Sequence, residues 1–395
     1  MGFFIPAKSL NNLKLYKYQS EDNSILSNAF LKSFWRKAAL IFPTWMAPNL
    51  VTLSGLVFII VNVITVLYYD PDLNSETPRW TYFSYALGMF LYQTFDACDG
   101  MHARRTGQSG PLGELFDHCI DSINTTLSLL VYISTTGIGY SYMFVFAQFS
   151  VLCNFYLSTW EEYHTHKLFL SEFCGPVEGI IMLCVLFVMT GMFGPQTVWH
   201  TVLFTIPLGE GGFKFETVHL MNSFSSVALL FNIAAATKNV AKYYTEQAAG
   251  KVEEKKKVDA KVAEALNGLV PFFLYFCSVF ALVLLNEKFI ALPLILSVGL
   301  SMAFVVGRII VAHLTLQSFP FNNVVMYIPS LQIALYLAMT NISAFGNQEE
   351  IVFSILWFGL GLTLGIHGMF INEIIYEFTT FLDVYALTIK HPKEL

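Results

Sequence analysis

Residues 96–121 read DACDGMHARRTGQSGPLGELFDHCID, and the reading of this stretch decides the fold. Asp96, Asp99, Asp117 and Asp121 stand at helical spacing within or beside strongly apolar segments. A charged side chain at mid-bilayer costs about 2.5–3.5 kcal/mol, so four left alone would cost roughly 10 kcal/mol, less where some lie near the interface. The fixed cations close in sequence are Arg104 and Arg105. One or two divalent metal ions held by oxygen ligands are the simplest remedy.

Composition agrees with a membrane setting. Of the 395 residues, 55% are hydrophobic and 13% charged, which excludes a soluble globule and indicates a polytopic membrane protein. The net charge of −6 says little, because in such a chain charge matters by location. No nucleic acid is expected as a partner. The opening, MGFFIPAKSL, lacks a basic region before a long apolar core, and Pro6 stands where myristoylation wants Ser or Thr. The first span is therefore expected to serve as the targeting signal. The six cysteines are scattered, form no CxxC pair, and read as small hydrophobes.

A span needs ~20 mostly apolar residues. Ten candidates emerge, near 49–69, 81–104, 112–137, 141–163, 175–194, 217–244, 268–286, 289–312, 324–345 and 350–375. The third and fourth are joined by a very short turn around Gly139 and are expected to form an antiparallel hairpin. The expected class is an all-α integral membrane protein of about ten transmembrane helices, preceded by an interfacial amphipathic helix over 25–46. On that helix Phe30, Phe34, Trp35 and Ile41 are placed toward lipid, and Lys32, Arg36 and Lys37 toward headgroups; an ordinary helix packed on the protein's own surface is the alternative. The divisions expected are an N-terminal segment (1–48), catalytic helices (49–244), a charged linker (245–267), and the last four helices with the C-terminus (268–395). An even span count puts both termini on one side. With that side cytosolic, 19 of the 22 Lys and Arg lie at cytosolic segments or span ends, leaving Arg79, Lys214 and Lys288. The aspartates then sit below the cytosolic interface, Asp96 being ~12 Å along a helix axis from Arg104.

Asp96 and Asp99 are three apart and share one helix face, with Gly100 beside them. Gly113, Asp117 and Asp121 are spaced by four and form one stripe. The intervening RTGQSGP suits a tight turn, so the two acidic faces can converge across one hairpin. That geometry matches a two-metal site clamping a phosphoryl transfer, and Arg104 offers a guanidinium fork to phosphate oxygens. Arg105 reads as an anchor at the membrane surface.

The pattern Asp96-x2-Asp99-Gly100-x2-Ala103-Arg104-x8-Gly113-x3-Asp117-x3-Asp121 resembles, at all eight fixed positions, the signature of the CDP-alcohol phosphotransferase family. The segments MAPNLVTLSG (46–55), PRWTYFSYALG (78–88), STWEEYHTH (158–166), FCGPVEGI (173–180) and HGMFINEIIY (367–376) extend the resemblance to the eukaryotic choline/ethanolamine branch, fungal members above all. The resemblance implies transfer of phosphocholine from CDP-choline, or phosphoethanolamine from CDP-ethanolamine, to diacylglycerol, with CMP released. It implies metal ligation by Asp96, Asp99, Asp117 and Asp121, with Mg²⁺ or Mn²⁺ as the ion, two ions being expected. Asp121 is further implied as general base. His118 and Glu178 look like a matching dyad that deprotonates the acceptor; the plainer readings are a satisfied histidine and a helix cap. Asn49, Gly100, Arg104 and Gly113 are implied in substrate binding, Asn49 toward the nucleotide. A homodimer in the endoplasmic reticulum membrane, or the Golgi, is what the family leads one to expect.

Glu161, Glu162, His164 and His166 in EEYHTH read as a polar helix end at the interface. His313, His367, Arg308 and Glu373 read as structural. Two rivals remain at this level. One is an ion-coupled transporter, against which stand carboxylates gathered at one depth and a phosphate-type arginine beside them. The other is an inactive scaffold of the same fold, against which stands the intact signature. Headgroup choice is open, choline being favoured by overall resemblance.

Overall fold

The computed structural model describes residues 2–392 apart from positions 18, 23, 171–174, 208–211, 248–254 and 342–346. Thirteen α-helices carry most of the described chain. They are α1 (Lys32–Ala38), α2 (Pro48–Tyr69), α3 (Arg79–Thr106), α4 (Pro111–Thr136), α5 (Tyr142–Thr165), α6 (Pro176–Phe193) and α7 (Pro195–Trp199), then α8 (Thr217–Gln247), α9 (Lys255–Asn267), α10 (Val270–Leu285), α11 (Leu292–Leu314), α12 (Ile328–Thr340) and α13 (Gln348–Leu382). Two small sheets complete the fold. β1 (Ser20–Asp22) pairs in parallel with β2 (Leu168–Leu170), and β3 (Val202–Ile206) pairs antiparallel with β4 (Phe213–Glu216).

Helix limits follow the local chemistry. Pro48, Pro111 and Pro176 open α2, α4 and α6, where a missing N–H removes no helical hydrogen bond. Gly107 (φ 71°) and Gly137 (φ 66°) close α3 and α4 in the left-handed conformation that glycine adopts without a Cβ penalty. The turn of residues 137–141 makes α4 and α5 the antiparallel hairpin that the sequence suggests.

Among the described residues, seven helices are long and apolar enough to cross a membrane, counting the end of α9 and α10 as one. This is a helical multi-pass membrane protein. The ten stretches read from sequence differ from these seven for two physical reasons. α3 and α4, at 28 and 26 residues, have the length but carry the aspartates and their polar neighbours. Within the apolar run at 324–345, the described residues form an α-helix over 13 residues, as α12, and 342–345 lie outside them. Of the charged linker over 245–267, the first three residues end α8, Lys255–Asn267 form α9, and 248–254 lie outside the described residues. At 35 residues α13 is ~50 Å long, well beyond a ~30 Å hydrocarbon core, so one end projects from it.

The N-terminal helix splits its aromatic residues between two faces. Phe30 and Ile41 are 75% and 81% exposed, and Phe34 is also outward. Trp35, grouped with them in the sequence reading, instead turns inward at 4% exposure and packs with Phe42, Val51 and Cys98. The reason is that α1 lies on α3, and position 35 falls on the contact stripe.

α11 is the buried strut of the bundle, 83% of its apolar stretch lying inside the protein. Glycine makes its contact with α4 possible: a Cβ at Gly299 would stand 2.5 Å from Thr126 Oγ1. Gly299→Val is expected to cost about 1–3 kcal/mol through overpacking. Detergent-solubilised protein should inactivate at a lower temperature; an unchanged midpoint would show that α11 does not brace α4.

Candidate active site

α3 and α4 form the hairpin that holds the four signature aspartates, and the turn at 107–110 folds one onto the other. Carboxylate oxygens of Asp96, Asp99 and Asp117 lie within 4.8 Å of one another. All three side chains are half-buried. At 4 Å two like charges repel by about 4 kcal/mol at an effective dielectric of 20, so the arrangement is unfavourable for bare carboxylates.

Side chains of α2 and of the hairpin itself supply hydrogen bonds, though too few to balance that charge. The Thr52 hydroxyl of α2 donates to Asp99. Gln93 Nε2 donates to Asp96 Oδ2 at 3.3 Å. The Tyr92 hydroxyl donates to Asp121. Asp117 Oδ1 is buried and has no hydrogen-bond partner among the described residues. An oxygen-only donor set with an orphaned carboxylate oxygen fits a hard divalent cation. Asp96, Asp99 and Asp117 are the residues that would hold it, with Asp121 one turn beyond Asp117.

Thr52, Tyr92 and Gln93 escaped the sequence reading. Tyr92 and Gln93 carried a usable signal, since they precede Asp96 by four and three residues and so share its face. Thr52 carried none, because it reaches Asp99 across a helix–helix contact.

The expected substrate-binding residues gather around the same hairpin. A Cβ at Gly100 would stand 3.6 Å from Arg104 Nη1, so the guanidinium lies at ordinary contact distance over this glycine. A Cβ at Gly113 would stand 3.9 Å from Asn49 Oδ1. Asn49 opens α2 and donates Nδ2 to the Ala386 carbonyl at 2.9 Å. The C-terminal segment thereby closes over the site's rim, helped by a Met46–Thr388 bridge and by Gln108 Nε2 donating to His391 O at 3.0 Å. Hydrogen bonds from Lys390 and His391 hold the Asp383 carboxyl of this segment below the usual carboxylate range. Arg105 behaves as an anchor: it donates to the Phe42 carbonyl and meets His102 Nδ1 at 2.9 Å.

His118 faces away from a simple pairing with Glu178. Its Nδ1 stands 2.9 Å from Glu114 O, and its Nε2 stands 3.2 Å from Glu162 Oε2. Glu178 accepts from the Ser24 hydroxyl at 2.6 Å and from Leu26 N at 3.3 Å, which ties α6 to the N-terminal segment. No hydrogen bond or ion pair joins His118 to Glu178 among the described residues, although Glu178 Oε2 is buried there without a hydrogen-bond partner.

The EEYHTH stretch is not the solvated helix end that its composition suggests. Glu161, Glu162 and His164 are buried, at 7%, 3% and 9% exposure. Glu161 accepts from Asn239 Nδ2 at 2.8 Å, and His164 Nδ1 meets Tyr244 OH at 3.0 Å. Glu162, Glu114 and His313 present ligand atoms within 4.8 Å of one another. Tyr16 OH donates to Glu114 at 2.7 Å, and His313 Nδ1 lies 3.3 Å from His166 Nδ1. This acid–imidazole network meets the signature hairpin at His118. α8 and the N-terminal segment cover these residues, contacts that hydropathy does not reveal.

Comparison with known proteins adds an independent line. A family profile described as CDP-alcohol phosphatidyltransferase matches residues 45–207, which hold the whole hairpin. The chain is 62% identical over 395 residues to cholinephosphotransferase 1 of Saccharomyces cerevisiae, covering 100% of both chains. It is 55% identical over 393 residues to choline/ethanolaminephosphotransferase 1 of the same yeast, again covering 100% of both. It is 33% identical over 411 residues to choline/ethanolaminephosphotransferase 2 of Arabidopsis thaliana, covering 98% of this chain and 99% of the other.

Metal binding can be read without turnover. A cation held at ~100 times its Kd stabilises a protein by about 2.7 kcal/mol. Mn²⁺ is expected to raise the thermal midpoint of the purified chain; Asp117→Asn should abolish that shift and Glu162→Gln should keep it. A shift lost with Glu162→Gln and retained with Asp117→Asn would move the metal to the second cluster.

Proposed function

The chain belongs to the CDP-alcohol phosphatidyltransferase family, and on that premise we propose a mechanism by which its α3–α4 hairpin makes phospholipid. The protein is a phosphotransferase of phospholipid synthesis that moves phosphocholine from CDP-choline to diacylglycerol, giving phosphatidylcholine and CMP. The yeast relative named for both headgroups supports ethanolamine as a second donor headgroup. The observation that carries the assignment of the site is the convergence of Asp96, Asp99 and Asp117 on one point of that hairpin.

In the proposed reaction the diacylglycerol hydroxyl oxygen attacks the β-phosphorus of the CDP-alcohol. The bond from that phosphorus to the bridging oxygen breaks, and CMP leaves with the bonding pair. Asp96, Asp99, Asp117 and Asp121 would hold Mg²⁺ or Mn²⁺, two ions being proposed. Bound there, the ions supply charge neutralisation for the pyrophosphate and the leaving group. Arg104 grips phosphate oxygens through its guanidinium fork. Gly100 and Gly113 leave space for the donor's backbone of phosphates and sugar, and Asn49, adjacent to Gly113, orients the nucleotide.

Two groups are proposed for the hydroxyl proton. Asp121 is the first, with Tyr92 fixing one of its oxygens and leaving the other to accept. His118 is the second, supported by its ion pair with buried Glu162, which holds the ring as a carboxylate holds a general-base histidine. Acceptance by His118 requires the ring to free one nitrogen from its present partners. Glu178 is proposed to complete the dyad with His118 from the entrance of α6, its buried Oε2 supporting that role.

The wider setting is proposed on the same footing. α3, α4 and α12 are taken to cross the bilayer with the seven apolar spans, giving ten, and the exposed apolar face of the N-terminal helix is taken to lie in the interface. The excess of Lys and Arg at one set of span ends supports a cytosolic site and cytosolic termini. The divisions 1–48, 49–244, 245–267 and 268–395, the endoplasmic reticulum or Golgi membrane, and a homodimer complete the reading.

The test is CMP release by purified protein in diacylglycerol-containing vesicles with Mg²⁺, given CDP-choline or CDP-ethanolamine. Asp121→Asn is expected to lower the rate by at least ~10²–10³-fold, the cost of losing one transition-state stabilising group. His118→Ala should fall as far if His118 is the base, and markedly less if Asp121 is. The ratio of the two donor rates assigns the headgroup. Folded protein that binds Mg²⁺ and releases no CMP from either donor would overturn this reading.

A further inference from the structure

Glu178 stands in the first turn of α6 and is held by a part of the chain far from it in sequence. α6 packs along α3, and Val177 is buried in one cluster with Cys98, between Asp96 and Asp99, which sets the start of α6 level with the aspartates. There the Ser24 hydroxyl donates to Glu178 Oε1 at 2.6 Å, and the Leu26 amide donates to the same oxygen at 3.3 Å. Both donors have a structural reason to point that way. Ser24 caps the helical segment that runs from Ile25 into α1, its Oγ accepting from Ser27 N at 3.0 Å, so its single hydrogen goes to the carboxylate. The Leu26 amide lies in the first turn, where no carbonyl of the helix can receive it.

The result is an asymmetric carboxylate. Oε1 receives two hydrogen bonds, while Oε2 is buried and receives none among the described residues. A buried acceptor left without a donor is costly, so Oε2 wants a partner that arrives during the reaction. Two donors on one oxygen fix the orientation of the whole group and leave the other oxygen to accept. Ser24 is 1% exposed, so water does not compete for the contact. The path of the segment is set upstream as well: β1 pairs with β2 just before Ser24, and Asn12 Nδ2 donates to Thr315 O at 2.8 Å.

We propose that Ser24 is a positioning residue of the phosphoryl transfer: together with the Leu26 amide it locks the Glu178 carboxyl so that Oε2 stays available to His118 when the acceptor hydroxyl gives up its proton. The N-terminal segment is then part of the catalytic machinery as well as a tether for α6. The inference rests on the role proposed for Glu178, and Ser24 acts through that side chain without touching either substrate. A residue that orients a catalytic group changes the rate of the chemical step and leaves donor binding as it was.

The experiment measures CMP release by the full chain in diacylglycerol-containing vesicles, well below the thermal midpoint of each variant. Glu178→Gln is expected to lower kcat by ~10²-fold or more, the scale of general acid–base catalysis. Ser24→Ala should lower kcat by roughly 10-fold with the KM for CDP-choline unchanged, the weight of a hydrogen bond to a charged group. Ser24→Thr, which keeps the hydroxyl, should retain most of the rate. Added to Glu178→Gln, Ser24→Ala should cost nothing further, because the two side chains act as one unit. Asn12→Ala loosens the same segment away from Glu178 and is expected to leave kcat unchanged. Wild-type kcat in Ser24→Ala, or the same fold loss in the Glu178→Gln background as in wild type, would overturn the proposal. So would an equal loss of kcat in Asn12→Ala, which would make the segment a general brace. Glu178→Gln turning over at the wild-type rate would instead remove the role proposed for Glu178, and that of Ser24 with it.

Discussion

Four carboxylates held on one helical hairpin, in a chain that otherwise expels charge, are the constraint around which the rest is arranged. Their mutual repulsion has to be offset wherever the hairpin closes. Thr52, Gln93 and Tyr92 each give one hydrogen bond, which is less than the four groups need. An oxygen-only donor set of this kind is one that a divalent cation would satisfy, and binding it would be coupled to the closed hairpin. The packing follows from this. α11 presses on α4 through Gly299, and α2 lies along α3, so the aspartates project from rigid neighbours and not from a loop.

Charge also organises what surrounds the site. His118 links the hairpin to Glu114, Glu162, His313 and His166, of which Glu114 and Glu162 are buried and His166 is exposed. Removing one member of such a network strands another as an unpaired buried group, which costs more than the pair contributes. Elsewhere, Lys32, Arg36, Arg104 and Arg105 line a cleft between α1 and the end of α3.

Much of this was legible in the chain because the information is local. The i, i+3 and i, i+4 spacing of the aspartates gives their shared faces, and RTGQSGP gives the turn that joins them. Hydropathy located α2, α5, α6, α8, α10, α11 and α13, which are apolar over a full span. The stretch at 324–345 is less plain, being apolar in composition while α12 within it runs over 13 residues. What was not legible depends on which helix lies against which. Trp35 looks like an outward aromatic until α1 is seated on α3. Glu162 looks like a solvated helix end until α8 and the N-terminal segment cover it. Thr52 is an unremarkable position in an apolar span until α2 brings it to Asp99. Single-sequence periodicity specifies a face, and it does not specify the partner of that face.

The most direct measurement is a structure of the protein with Mn²⁺ and CDP-choline, with the metal located by its anomalous signal. The account predicts metal among Asp96, Asp99, Asp117 and Asp121, with the pyrophosphate between that metal and Arg104. Metal at Glu114, Glu162 and His313 alone, or a nucleotide bound away from the α3–α4 hairpin, would contradict it.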